Sequence, residues 1–151
     1  MMTKKGKHQY FFEAQITWEG GRKGILSADD IPLQLPVATP PEFAGGVAGT
    51  WSPEELFLGS LNSCLMATYL AFAEKKQLAI KSFDCNAIGQ VELVEGHLEF
   101  TTINLFPKII VASEEETALA NEVLVKTYQH CIIANSIKSH LVHHGEVVVA
   151  I

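Results

Sequence analysis

The spacing of apolar residues changes several times along the chain, and each change predicts an element. Residues 9–19 (QYFFEAQITWE) are rich in aromatic and β-branched side chains and predict a strand. Gly20-Gly21-Arg22-Lys23-Gly24 then predicts a hairpin turn, with Ile25–Ser27 opening the return strand. Residues 29–50 carry Pro32, Pro36, Pro40 and Pro41 with Gly45, Gly46 and Gly49, which predicts extended chain and loop with a short strand near Ile31–Leu35. Loops of that length in a small domain usually serve function or contact a partner. Ser52-Pro53-Glu54-Glu55 is a strong helix start: a Ser cap, Pro at the first helical position, acids in the first turn and a Ser-x-x-Glu capping box. The uncharged run Leu56–Ala73 follows, and the helix should continue to about Lys76.

Two strands are expected next, over Ile80–Leu93 and His97–Val111, joined at Val94-Glu95-Gly96. Pro107 suggests that the second of them is an edge strand or bends. Ser113-Glu114-Glu115-Glu116 is a second capping box, and Leu119, Val123, Leu124 and Tyr128 form a helical stripe behind it. A break near Cys131, a short helix to about Leu141 and a strand Glu146–Ile151 complete the pattern. Hairpin, long helix, hairpin, helix and strand make an α+β domain. No repeat or linker divides it, so residues 1–151 are expected to be one domain with residues 1–8 as a flexible tail.

Composition narrows the function. A net charge of −6 argues against a nucleic-acid surface, and the one basic cluster, Lys4-Lys5-Gly6-Lys7-His8, is short. Three cysteines without framework spacing fit a reducing compartment, hence a cytoplasmic protein. The uncharged run only reaches the lower length limit of a membrane span and contains Gly59, Ser60, Asn62, Ser63 and Thr68. It is better read as a helix buried in a soluble core.

Cys64 sits inside that run, about three turns beyond the helix start, too far for the helix end to activate it. An ordinary thiol with a pKa of about 8.5 is only about 3% thiolate at pH 7. Lowering the pKa to about 6 takes roughly 3.4 kcal/mol. A partly buried guanidinium could supply it, and the chain has a single arginine, Arg22, against ten lysines. A buried cysteine taken alone is more often structural than reactive.

The ordered set Gly-Gly-Arg22-Lys-Gly, Gly49-Thr50-Trp51-Ser52-Pro53-Glu54-Glu55-Leu56, Ser63-Cys64 and His130-Cys131-Ile132-Ile133-Ala134-Asn135-Ser136 resembles the OsmC/Ohr family of osmotically inducible and organic hydroperoxide resistance proteins. The resemblance runs from about Gln15 to the C-terminus. It implies antiparallel sheets with a long central buried helix, assembled as an intertwined homodimer with its sites at the subunit interface. It further implies a thiol peroxidase with Cys64 as peroxidatic thiolate, Cys131 as resolving thiol, Arg22 as the activating cation and Glu54 as the residue that holds Arg22. The substrate would be an organic hydroperoxide and the reductant an external dithiol, with no metal, haem or flavin. Ile132 departs from the family pattern, in which proline typically follows the second cysteine, and Ser63 stands where alanine is common.

Glu54 and Cys64 are ten residues apart, about 15 Å along one helix. One arginine can hardly touch both, so Arg22 and Glu54 are expected to serve the Cys64 of the partner subunit. Leu61, Leu65 and Thr68 around Cys64 would suit an apolar peroxide. The alternative is a protein of the same fold that binds a small apolar or electrophilic ligand without turnover; a third reading is a structural dimer with inert thiols. Cys85 reads as structural, and His130, His140, His143 and His144 match no strong zinc spacing.

Overall fold

A tight glycine turn starts the fold. In the computed structural model, which describes residues 8–151, strand β1 (Gln15–Gly20) pairs antiparallel with β2 (Lys23–Ala28) from Gln15↔Ser27 to Gly20↔Lys23. Gly20 and Gly21 hold φ of 105° and 55°, a left-handed conformation that glycine adopts without strain. The tail expected over residues 1–8 lies, apart from His8, outside the described residues. β1 is shorter than the expected strand over residues 9–19. Its aromatic run Tyr10-Phe11-Phe12 has no pairing partner, because β2 ends at Ala28.

β3 (Ile31–Ala38) extends three residues past the expected short strand and forms the edge of the three-stranded sheet β1-β2-β3. An edge tolerates Pro32 and Pro36 because an edge strand needs ladder donors on one side only. The segment after it folds on itself: Phe43 donates to Pro40 O at 3.1 Å, Gly46 to Phe43 O at 3.0 Å and Val47 to Thr39 O at 2.9 Å. A Cβ on Gly46 would lie 1.9 Å from Pro40 O, so only glycine closes this loop.

Helix α1 (Pro53–Lys75) begins where the capping box requires. Glu55 Oε2 accepts the Ser52 N–H at 3.0 Å, and Ser52 Oγ accepts the Glu55 N–H at 3.2 Å. Just past its end Gln77, with φ of 56°, turns the chain so that Leu78 donates to Ala73 O at 2.9 Å. By length and composition α1 could cross a membrane. Within the chain it buries a single stripe, Leu61, Leu65, Tyr69 and Ala73, leaving Met66 and Leu70 each 42% exposed. The run expected to be buried in a soluble core is therefore only partly covered within the chain.

The described residues divide into two compact units, one ending at Leu56 and the other Phe57–Ile151. In the second unit β4 (Ser82–Val94) and β5 (His97–Val111) form a long antiparallel hairpin. Along β5 the residues Ile103, Leu105, Pro107, Ile109 and Val111 are all buried, a two-residue period that makes this the core face. A short 3-10 turn, Glu114–Glu116, leads into α2 (Thr117–His130), with Glu116 Oε2 accepting the Ser113 N–H at 3.2 Å. Tyr69, Ile109, Val111, Ala120, Val123 and Leu124 form one core cluster. Leu61, Leu65, Ile103, Leu105 and Cys131 form the other.

Three expectations are corrected here. The helix after Cys131 is the single turn α3 (Ile132–Asn135) and does not reach Leu141. His140–His143 forms β6, which like β7 (Glu146–Val149) runs parallel to β5, so the second sheet is mixed. β5 is consequently central, and Pro107 does not mark an edge strand. β6 pairs with β5 as far as Leu105 and β7 only from Lys108. Pro107 falls in the gap, where no strand needs its missing N–H.

Candidate active site

Cys131 is where the second unit concentrates its chemistry. It caps α2 with φ −68° and ψ 114°, an extended conformation that stops the helix and redirects the chain. Its N–H donates to Thr127 O at 3.0 Å, and its carbonyl accepts the Asn135 N–H at 3.0 Å. With the main chain satisfied on both sides, the side chain is held in the core at 0% exposure beside Leu61, Leu65, Ile103 and Leu105.

Cys64 reaches the same cluster from α1. It is half-buried, whereas the sequence led us to expect a buried thiol. Both cysteines are free thiols, and Cys64 packs against the core cluster that contains Cys131. Burial alone would push the Cys64 pKa up. That effect is outweighed by the Ile133 N–H, the Cys131 thiol, the Thr68 hydroxyl and the Ile132 N–H, and the pKa of Cys64 falls below the ordinary thiol value. Thr68 Oγ1 lies 3.9 Å from the sulfur, as expected four residues further along one helix face.

Cys131 is shifted the other way. Burial first, then the neighbouring Cys64, raise it to about 11, against the opposing Ala134 and Ile133 amides. The pair is therefore asymmetric: at neutral pH Cys131 stays protonated and donates, while Cys64 is the sulfur on which negative charge is stabilised. No charged side chain contributes to that depression. The sequence pointed to a cation for Cys64; the structure adds amides, a thiol and a hydroxyl. The first amides of a helix have no acceptor within it, and Ile133, in the turn after Cys131, borders the same cluster as Cys64.

Arg22 and Glu54 belong to the first unit. Arg22 occupies the β1–β2 turn, where its carbonyl accepts the Thr39 N–H at 3.2 Å and Trp18 Nε1 donates to Gly21 O at 3.1 Å. The side chain runs so close to Gly45 that a Cβ there would be 3.0 Å from Arg22 Cγ. It lines an open cleft of about 390 Å³ with Ile16, Trp18, Val37, Thr39 and Pro53. Glu54, in the first turn of α1, has Oε2 buried without a hydrogen-bond partner among the described residues. Among the described residues Arg22 and Glu54 form no ion pair with each other or with any other side chain.

The remaining candidates are occupied by packing. Cys85 borders the second cluster, and burial pushes its thiol up against an opposing Phe106 amide. His143 stacks on Tyr128 at 3.8 Å between ring centroids, and His144 on Phe106 at 4.6 Å. The backbone donors Ile132 and Ile133 were not legible in the sequence, since side-chain types say nothing about where an amide points.

Residues 46–144 match the family model described as OsmC-like protein. The chain belongs to the OsmC-like family. It is 25% identical over 137 residues to the uncharacterized protein YmaD of Bacillus subtilis, covering 89% of each chain. It is 31% identical over 84 residues to the organic hydroperoxide resistance protein OhrB of the same organism, 56% of this chain and 59% of that one. Among solved structures, an OsmC-like protein of unknown function from Vibrio cholerae superposes with a TM-score of 0.81 at 21% identity, covering 91% of this chain and 99% of that one. An organic hydroperoxide resistance protein from Elizabethkingia anophelis, solved with thiocyanate bound, superposes with a TM-score of 0.74 at 21% identity, covering 96% and 100%. At these identities the solved structures establish the fold, and the α+β OsmC-like architecture with its long helix is that of this chain.

Proposed function

We propose that this protein is a cysteine-based peroxidase that reduces organic hydroperoxides at the expense of an external dithiol. The observation that carries the reading is the asymmetric pair: Cys64 depressed, Cys131 protonated and in contact with it. The Cys64 thiolate attacks the terminal peroxide oxygen, the O–O bond breaks, and the alkoxide takes a proton to leave as the alcohol. The resulting Cys64 sulfenic acid condenses with the Cys131 thiol, releasing water and forming a disulfide. A dithiol reductant returns both sulfurs to thiols by exchange. The apolar Leu61 and Leu65 beside Cys64 favour a hydrophobic peroxide over a small polar one. The similarity to OhrB supports the same substrate class.

Arg22 acts in this reading as the cation that steadies the thiolate and the leaving oxygen, and Glu54 orients it. The site is completed in a homodimer, Arg22 and Glu54 of one subunit serving the partner's Cys64. A guanidinium with no ion pair and a buried carboxylate oxygen with no hydrogen-bond partner among the described residues are what one chain of such a dimer retains. The half-covered α1, with Met66 and Leu70 exposed, supports burial against a second copy.

Free-thiol titration before and after one equivalent of cumene hydroperoxide, in wild type and Cys64→Ser, tests the proposal. Two thiols per chain should be lost rapidly in wild type and retained in the variant. Unchanged thiols in wild type would sink the peroxidase and leave the ligand-binding alternative.

A further inference from the structure

We propose that Gly45 is a positioning residue for Arg22: the loop over residues 39–47 lays bare backbone along the arginine stem and so fixes where the guanidinium stands before a substrate arrives. The proposal rests on the peroxidase reading for the purpose of Arg22 but not for the contact itself.

Three observations carry it. Arg22 is exposed at a turn and has no ion pair among the described residues, so only packing can limit the rotamers of this long side chain. What packs against it is the main chain of Gly45. A Cβ there would come 3.0 Å from Arg22 Cγ, 3.3 Å from Nε and 3.7 Å from Cδ, so the contact follows the stem as far as the guanidinium. The loop that carries Gly45 is itself fastened to Arg22. The Thr39 N–H donates to Arg22 O at 3.2 Å, and the Val47 N–H donates to Thr39 O at 2.9 Å. One loop therefore holds both the main chain and the side chain of Arg22. Lastly, the adjacent glycines have different neighbours. Gly46 closes the loop against Pro40 O, while Gly45, with φ of 77°, faces Arg22. A methyl group on Gly45 meets a flexible stem on one side and a loop locked by Gly46 on the other, and the stem is what gives way.

Gly49 supplies a matched control. Its φ of 76° is close to that of Gly45, yet a Cβ there meets nothing within 4 Å. Gly45→Ala and Gly49→Ala therefore carry similar backbone strain, and only the first pushes on Arg22. Because the chain has one arginine, its Nε–Hε group gives a single signal in the NMR spectrum of the isotope-labelled protein. The order parameter of that signal should stay above about 0.6 in wild type and Gly49→Ala and fall below it in Gly45→Ala. With organic hydroperoxide, kcat of Gly45→Ala should drop roughly tenfold while KM holds, as when a contact made only in the transition state is lost. Gly49→Ala should turn over as wild type. A mobile Arg22 in wild type, a Gly45→Ala signal as rigid as wild type, or equal loss in both variants overturns the proposal. So does unchanged turnover in a Gly45→Ala protein whose Arg22 has been freed.

Should Gly45→Ala fail to fold, the wild-type protein decides. Nuclear Overhauser effects must connect the Gly45 α protons to the Arg22 γ and δ protons, and their absence overturns the proposal. Neither NMR readout uses peroxide. A protein inert to hydroperoxides whose Arg22 is freed by Gly45→Ala alone would refute the peroxidase and keep Gly45 as the residue that places Arg22.

Discussion

Replacing Cys131 separates its two assigned tasks, donor to the Cys64 thiolate and resolver of the sulfenic acid. Four groups lower the Cys64 pKa, namely Ile133, Cys131, Thr68 and Ile132, and of these only Cys131 is a thiol. A hydrogen bond to a charged group contributes about 1.5–3 kcal/mol, and a thiol is a weak donor, so about 1.5 kcal/mol is the appropriate figure. At 1.36 kcal/mol per unit, Cys131→Ala should raise the Cys64 pKa by about one unit. Cys131→Ser keeps an O–H donor in place and should leave it nearly unchanged. Removing one buried sulfur costs about 1–2 kcal/mol in the core, too little to unfold an ordinary domain.

The assay is intact mass after one equivalent of hydroperoxide, together with the alkylation profile. Wild type should lose two hydrogens as it forms the disulfide. Both variants should instead gain one oxygen at Cys64, trappable by dimedone. The reactive form is the thiolate, so alkylation rises with pH through an inflection below the ordinary thiol value in wild type and the serine variant, and about one unit higher in the alanine variant. The reasoning is refuted if wild type forms no internal disulfide, if the variants still do, or if alanine and serine titrate alike.

Arg22→Ala should lower peroxidase turnover by roughly 100-fold or more, the usual loss when one electrostatic contact to a transition state is deleted. Its thermal midpoint should hold, since the turn is fastened by main-chain bonds and glycines; near-wild-type turnover would remove Arg22 from the mechanism. Ser52→Ala should cost about 1 kcal/mol or somewhat more, read as a lower urea midpoint, because Ser52 is 1% exposed and shares its capping box with Glu55. An unchanged midpoint would show that α1 does not depend on this cap.

Local chemistry was legible wherever a residue type dictates its own backbone. The glycine turn at 20–21, the capping boxes at Ser52 and Ser113 and the Glu95-Gly96 hairpin all lie where the sequence places them. β6 and the central position of β5 were not legible. Four residues, His-Leu-Val-His, carry too little periodicity to announce a strand, and a parallel neighbour is chosen by the sheet. Pro107 misled for the same reason, since its tolerance depends on a gap between two strands that follow it in the chain.

The cysteines divide along that line. The sequence by itself determined that Cys64 lies on a long helix and that Cys131 lies at a helix break, because caps, prolines and apolar spacing act over a few residues. Only the tertiary structure decided that the two cysteines share one core cluster, that Cys131 is the buried one, and that the turn after Cys131 lies beside Cys64. A thiol's ionisation depends on burial and on donors arriving from distant residues, and an amide's direction belongs to the backbone path, which no side-chain identity encodes.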